Sequence, residues 1–456
     1  MFKRKIEEEL KKWKESLEIK KKAFVLKGLR QVGKTFIVQK FARENYKNVI
    51  YINFKVEVEM RDCFSYNLVV DELITNISSK KKDAIFIPYQ TVIIFDEIQE
   101  CSAARASIKP FMEDGRFDVI ATGSLLGIRG YNSKYSGGVP VGFERIVYMK
   151  PMDFEEFLWA IKINDNVINY LKDCYKNRTA ISKATHEAML HYFRQYMCVG
   201  GMPAVVKMFL KTRDINQVLQ EQKDILENYR DDFAKHLDEN EREQTDKELL
   251  TKINRVFDSI PSQLAKENKK FMVSKIDKKS SLEKYEDAIK WLVDYGLISL
   301  CYNLHTPEFP LEGNKISNIF KIYVNDTGLL MAMLDNGSQA EILMNSMGTF
   351  KGEIYENIIA DAFSKNDRKL YYFSKNSGLE IDFITNYNRE ITLIEVKAKN
   401  ENTKSSKEVM SNKIKYPEVK RLIKLKDCNI GETENILSIP YYLAFLLKDE
   451  LIDIKL

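Results

Sequence analysis

Histidine is nearly absent from this sequence: four residues in 456, beside six cysteines and three tryptophans. The histidines show no metal-ligand spacing. Cys63, Cys101, Cys174, Cys198, Cys301 and Cys428 are scattered without a C-x-x-C. Both facts argue against a structural zinc or a disulfide framework and for a reducing, cytoplasmic setting. No apolar run approaches the ~18 residues that a membrane helix needs, so no membrane partner is expected. The opening MFKRKIEEELKKWKE is a charged helix pattern and lacks the apolar core of a signal peptide. Net charge is also small. Lys plus Arg is 71 against 66 Asp plus Glu, a balance of +5 that excludes a histone-like polycation and leaves room for local basic patches.

Apolar residues are plentiful, at 44%, with 11% aromatic, which excludes wholesale disorder. At about 100–200 residues per domain, the length suggests two to four domains. In the first 150 residues, strand-like runs alternate with helical patterns: Ala23–Lys27, Val49–Phe54, Thr91–Phe95, Phe117–Thr122 and Arg145–Met149. That alternation predicts an α/β fold with a mostly parallel sheet. Helical periodicity then runs from Asp153 to Arg255, broken once at Val199-Gly200-Gly201-Met202-Pro203, a tight turn. No internal repeat appears.

Gly28-Leu29-Arg30-Gln31-Val32-Gly33-Lys34-Thr35 matches G-x-x-x-x-G-K-[ST]. Average residue usage gives about 0.02 chance matches in a chain of this length. The motif follows a strand and opens an amphipathic helix, expected with Phe36, Ile37, Phe41 and Ala42 inward. Backbone N–H groups of such a loop curl around phosphates, and the helix N-terminus favours negative charge. Lys34 would reach the β and γ phosphates of ATP, and Thr35 would ligate Mg²⁺. The strand Thr91-Val92-Ile93-Ile94-Phe95 ends in Asp96 and Glu97. Asp96 is expected behind the magnesium and Glu97 beside the attacking water. Ser124, at the end of Phe117–Thr122 and its continuation, would lie near the γ phosphate if that strand adjoins the first. Arg116, Arg129 and Arg145 are the candidate phosphate-contacting arginines.

GLRQVGKT, IIFDEIQ, ATGS and PVGFERIVYMKPMDFEEFL together resemble a family of prokaryotic AAA-type ATPases. Its members pair the ATPase core with a C-terminal half of unknown function. VGGMPAVV, IPSQLAKENKKF, YEDAIKWLVDYGLI, FKIYVNDTGLL and KGEIYENIIADAF extend the resemblance over nearly the whole chain. It implies a core with an extra strand between the two nucleotide-binding strands. One departure is that Gly142 and Arg145, adjacent in the family's pattern, are separated here by Phe143-Glu144.

Pro261-Ser262-Gln263-Leu264 reads as the start of one short helix and Ser281–Asp294 as another, followed by strand-like Leu297–Leu304 and Phe320–Val324. Two helices and a strand pair suit a winged helix, which the resemblance also implies. Lys266, Lys269, Lys270, Lys275, Lys278, Lys279 and Lys284 cluster there, a patch suited to nucleic-acid phosphates; the alternative is a solvated lysine face. Further on, the helix Glu353–Lys365 carries Glu356, the strand Ile381–Thr385 carries Asp382, and Thr392–Val396 carries Glu395, with Lys397 just beyond. Asp…Glu-x-Lys in a helix–strand–strand–strand order is the pattern of restriction-endonuclease-like nucleases. Period-2 alternation puts Glu395 and Lys397 on one face. Asp382 and Glu395, with Glu356 as an outer ligand, would bind Mg²⁺, and Lys397 would orient the attacking water.

Four segments follow: a P-loop AAA-type core over 1–152, a helical connector over 153–255, a winged-helix-like domain over 256–345, and a small α/β restriction-endonuclease-like domain over 346–456. The expected function is ATP binding and hydrolysis coupled to nucleic-acid binding or Mg²⁺-dependent cleavage. The alternative is a nucleotide-controlled switch with an inert nuclease-like domain. DNA or another nucleic acid, and further copies of the chain in a homo-oligomer, are the expected macromolecular partners.

Overall fold

The computed structural model describes residues 2–16, 21–124, 140–238, 243–266, 269–346, 351–397 and 404–448. The chain divides into two compact units: Lys3–Lys150 with the short stretch Asp294–Gly296, and Pro151–Val293 with Leu297–Leu456.

In the first unit, helix α1 (Ile6–Lys14) precedes strand β1 (Ala23–Gly28), helix α2 (Lys34–Asn45), β2 (Asn48–Asn53), α3 (Val70–Lys80), β3 (Thr91–Asp96), α4 (Ser102–Ala106), α5 (Ile108–Asp114), β4 (Asp118–Ser124) and β5 (Glu144–Met149). The strands form one parallel sheet in the order β2-β3-β4-β1-β5. Every residue of β1 and β3 is buried. Such strands read as continuous apolar runs because helices cover both faces of a parallel sheet. β4 lies between β1 and β3, as the resemblance implies. The carboxyl ends of β1, β3 and β4 therefore stand side by side, where open α/β sheets bind their ligands.

The second unit begins with helices α6 (Phe154–Ala160), α7 (Asp165–Asn177), α8 (Lys183–Val199), α9 (Pro203–Thr212), α10 (Ile215–Asp238) and α11 (Glu243–Leu264). Asp153 and Glu156 close a reciprocal capping box on α6. Pro203 sits at the first position of α9, where its missing N–H costs nothing. Pro261 does not start a helix. It falls in the last turn of α11, where its missing N–H takes one bond, to the Phe257 carbonyl, out of the ladder.

After α12 (Glu286–Tyr295) come β6 (Ile298–Leu304), β7 (Lys315–Val324), α13 (Thr327–Ala332), α14 (Ser338–Leu343), α15 (Lys351–Lys365), β8 (Leu370–Ser374), β9 (Glu380–Tyr387), β10 (Glu390–Lys397), α16 (Lys404–Ser411), β11 (Val419–Lys426), β12 (Gly431–Thr433) and β13 (Ile436–Pro440). The strands form one mixed sheet in the order β12-β13-β11-β10-β9-β8-β6-β7.

That order corrects the expected winged-helix module with a boundary at 345/346. The antiparallel pair β6–β7 does form, but β6 also pairs in parallel with β8. The pair thus extends the C-terminal sheet instead of closing a separate small domain. An isolated two-stranded hairpin is marginal in water, and addition to an existing sheet edge supplies the missing hydrogen bonds. Phe373, Ile381, Leu393, Val409, Val419 and Leu422 belong to one apolar cluster of this half.

Candidate nucleotide site and C-terminal carboxylate cluster

Gly28 to Thr35 join β1 to α2. Gln31 and Gly33 take positive φ, 65° and 94°, turning successive amides inward as an anion-binding loop requires. The loop is packed from behind. A Cβ on Gly28 would lie 2.3 Å from the Met149 carbonyl oxygen, so only glycine fits. Arg4, buried ahead of α1, donates to the Val32 carbonyl at 3.1 Å and to the Lys150 carbonyl at 2.6 Å. The Lys34 ammonium, also buried, donates to the carbonyls of Gly28 (3.0 Å) and Leu29 (2.8 Å). It is held at the mouth of the loop.

The Thr35 hydroxyl donates to the Asp96 carboxylate at 3.0 and 3.1 Å. Asp96 also accepts from the Tyr51 hydroxyl (2.6 Å), the Asn53 amide (3.0 Å) and the Thr122 hydroxyl. Four neutral donors thus orient a buried carboxylate without neutralising it, which fits a cation at this point. Glu97 takes left-handed φ of 53°, which turns its side chain away from the strand's alternation, and it accepts from the Gln99 amide. β4 pairs with β1 so that Ser124 stands opposite Gly28, with Thr122 opposite Leu26.

Three expectations shift. Phe36 is 50% exposed rather than inward, because the buried stripe of α2 runs through Lys34, Ile37, Val38, Phe41 and Ala42. Arg116 is tied to Asp71 and Asp114, and Arg145 to Glu9, so neither faces the loop as an unengaged guanidinium. Arg129 lies outside the described residues. Arg4, Tyr51 and Asn53 are not among the expected site residues, and the Thr122 hydroxyl, at the strand end expected to offer a hydroxyl to the γ phosphate, is engaged by Asp96. For Tyr51 and Asn53 a signal existed, since alternate residues at a strand end share one face.

In the second unit, Phe383 of β9 pairs with Ile394 of β10, so Asp382 and Glu395 stand beside each other. Both reach the Lys397 ammonium, Glu395 at 2.7 Å and Asp382 at 3.8 Å. The two carboxylates thus face one ammonium. Asp382 is further fixed by the Val396 N–H at 2.8 Å, and the Tyr441 hydroxyl donates to the Lys397 carbonyl. Burial, then the neighbouring Asp382, pushes Glu395 up to about 7, against the opposing pull of Lys397. Burial, then Glu356, likewise raises Asp382.

Glu356 does not stand open as an outer metal ligand. It accepts from Lys321 at 3.1 Å, from the Tyr323 hydroxyl and from Lys269. Burial opposes its charge, yet Lys269 and Lys321 hold it down to about 2. Lys269 therefore leaves the expected DNA-facing patch, since its ammonium points into the protein. Lys275, Lys278, Lys279 and Lys284 are exposed. Among the described residues no group of three or more His, Cys, Asp or Glu is gathered for a metal, and no helix is long and apolar enough to cross a membrane.

Residues 20–158 match the AAA domain family. Residues 190–340 match a domain of unknown function (DUF8612) and residues 351–442 another (DUF4143). No curated protein matches the sequence. Among solved structures, the chain is similar to the Walker-type ATPase PABY2304 of Pyrococcus abyssi, at 15% identity over 73% of this chain and 96% of that one, with a TM-score of 0.40. It is also similar to the ORC2 protein of Aeropyrum pernix, at 11% identity over 71% and 88%, with a TM-score of 0.36. The chain thus carries an AAA-type P-loop domain followed by a C-terminal domain of unknown function.

Proposed function

We propose that this protein binds ATP with Mg²⁺ and hydrolyses it, and that turnover controls a C-terminal domain acting on nucleic acid in the cytoplasm. The observation that carries the first part is the meeting of the Thr35 hydroxyl with the Asp96 carboxylate beside a buried Lys34. Lys34 holds the β and γ phosphates, and Thr35 and Asp96 hold the ion. Magnesium, when bound, supplies charge neutralisation on the phosphates. Glu97 orients a water in line with the γ phosphate and takes its proton. Glu97→Gln keeps the size and loses the base. The variant is expected to bind ATP near wild-type affinity and to release phosphate about 10²-fold more slowly. Unchanged phosphate release, measured beside fluorescent-nucleotide binding, would assign the water to another group.

The convergence of Asp382 and Glu395 on Lys397 supports a divalent-metal nuclease in the second unit. Asp382→Asn is expected to abolish Mn²⁺- or Mg²⁺-dependent cleavage of DNA or RNA and to spare ATP hydrolysis, because the nucleotide residues lie in the other unit. Cleavage that persists in the variant would rule out these ligands. A second reading, an inert platform under nucleotide control, is favoured by the engagement of Glu356 with two ammoniums. Under either reading, exposed Lys275, Lys278, Lys279 and Lys284 would meet nucleic-acid phosphates, with affinity falling as salt rises. Assembly into a homo-oligomer belongs to the same proposal.

A further inference from the structure

Strands β10 and β11 run parallel, with Leu393 beside Leu422, Glu395 beside Lys424 and Lys397 beside Lys426. Register partners, and residues two apart on a strand, point to one face. Leu393, Leu422 and Val409 of α16 share one apolar cluster, so this is the face that α16 covers. Toward the carboxyl ends of both strands the apolar cover gives way to charge. The Ser406 hydroxyl of α16 hydrogen-bonds the Glu395 carboxylate, which brings the next residue, Lys407, to the same end of the sheet.

Four lysines meet there, and they are not alike. Lys397 is engaged by Glu395 and Asp382. Lys407, Lys424 and Lys426 form no ion pair with any described residue. Other buried lysines of this unit have carboxylate partners, Lys269 and Lys321 in Glu356 and Lys365 in Asp361. Lys424 and Lys426 are half-buried, and Lys407 is exposed. Burial, then the ammoniums of Lys426 and Lys407, holds Lys424 below the usual lysine range, against the pull of Glu395. Like charges set side by side cost free energy, and an anion bound across them relieves it.

The layout selects the kind of anion. Residues two apart on a strand stand about 7 Å from each other. Lys424 and Lys426 are therefore anchored in a row along β11, with Lys407 to one side, and do not surround a single point. A row suits a chain of phosphates better than one small anion. Arg421, the arginine of β11, is tied to Glu390 and Glu432, so the row offers point charges in place of a planar fork. Point charges follow a phosphate backbone without reading its sequence.

We propose that Lys407, Lys424 and Lys426 form a seat for the phosphodiester backbone of a nucleic-acid strand, beside Asp382, Glu395 and Lys397. The proposal rests on the reading of this domain as one that acts on nucleic acid, and it gives that reading a surface other than exposed Lys275, Lys278, Lys279 and Lys284. The contact requires no metal ion, so it holds for a cleaving domain and for an inert platform alike.

The test is fluorescence anisotropy of labelled DNA and RNA strands with the full chain, in EDTA and without ATP, over a series of salt concentrations. The triple variant Lys407→Gln/Lys424→Gln/Lys426→Gln is expected to bind about tenfold more weakly at moderate salt. Its slope of log affinity against log salt is expected to be shallower by about 2, the share of three phosphate contacts on a single strand. The matching triple substitution to Arg keeps the charges and should bind as wild type does.

Wild-type affinity and slope in the Gln variant overturn the seat and leave nucleic-acid binding to another surface of the chain. If the wild type binds neither strand, the seat and the nucleic-acid reading fail together. Displacement of the strand by polyglutamate at equal charge concentration would assign the row to an acidic protein surface and also overturn the proposal. A measurement on the unaltered protein guards against a misfolded variant. Acetylation of Lys407, Lys424 and Lys426, read by mass spectrometry, should fall when the strand is bound, while Lys315 and Lys369, which pair with Glu312, should be labelled as before. Unchanged labelling of the three lysines at a saturating concentration of the strand would overturn the seat as well.

Discussion

Lys34→Ala is expected to weaken ATP binding by about 10²-fold or more, the usual consequence of removing one partner of a desolvated charge pair. Lys34 is 7% exposed, and its ammonium rests on the Gly28 and Leu29 carbonyls. It is thus already placed when the nucleotide arrives, and little side-chain ordering remains to be done on binding. Without it, the β and γ phosphates meet the loop amides alone. Lys34→Arg is no substitute, since a planar guanidinium does not fit a site shaped around a compact ammonium. Calorimetric titration with ATP and Mg²⁺ checks this, beside circular dichroism to verify folding. Wild-type affinity in Lys34→Ala would remove the loop from the nucleotide site.

Gly201→Ala is expected to destabilise the second unit by about 3 kcal/mol or more, through overpacking against backbone that cannot yield and the loss of buried hydrogen bonds. An added Cβ would stand 2.0 Å from the Met152 carbonyl oxygen and 2.6 Å from its nitrogen. Those same groups define the junction. The Met152 N–H donates to the Gly201 carbonyl at 2.7 Å, and the Gly201 N–H donates to the Asp326 carboxylate at 2.6 Å. Asp326, buried, also caps α13 through the Leu329 N–H at 3.0 Å. Gly328 closes the other side, where a Cβ would lie 2.5 Å from the Val199 carbonyl oxygen. The VGGMP and NDTG stretches thus form a single lock, built of glycines because backbones touch there. Gly352→Ala is the control. Nothing lies within 4 Å of its Cβ position, and it sits in the first turn of α15. That change is expected to be neutral or to stabilise by about 0.5–1 kcal/mol. Thermal unfolding of the three proteins separates the cases, and equal midpoints for Gly201→Ala and wild type would contradict the lock.

The phosphate loop, the strand ending in Asp96 and Glu97, and the order of elements from α15 to β10 were legible in the residues alone. Each of these is a local rule: a turn that needs glycine, a strand that needs apolar continuity, a carboxylate at a strand end. The short strands β12 and β13 escaped notice. β12 has three residues, all exposed, so it carries no burial period to read. Phe36 looked like core because it is apolar, yet the turn of α2 carries it off the buried stripe.

The second sheet shows where local rules stop. The β6–β7 pair has the periodicity of a wing, and nothing within it reveals that β6 will pair with β8, where Cys301 meets Leu370. Lysine is abundant in the chain, and a run such as Lys269-Lys270 reads as solvated until the fold brings Glu356 to one of its members.

By itself, then, the sequence determined the nucleotide-binding loop and the α/β character of the chain, because those follow from residues close together along it. Only the tertiary structure decided that Lys321 and Lys269 would neutralise Glu356, that Tyr51, Asn53 and Thr122 would orient Asp96, and that a supposed wing would complete a sheet. Pairings between distant segments are selected by the burial and hydrogen bonding of the whole unit, which no single segment encodes.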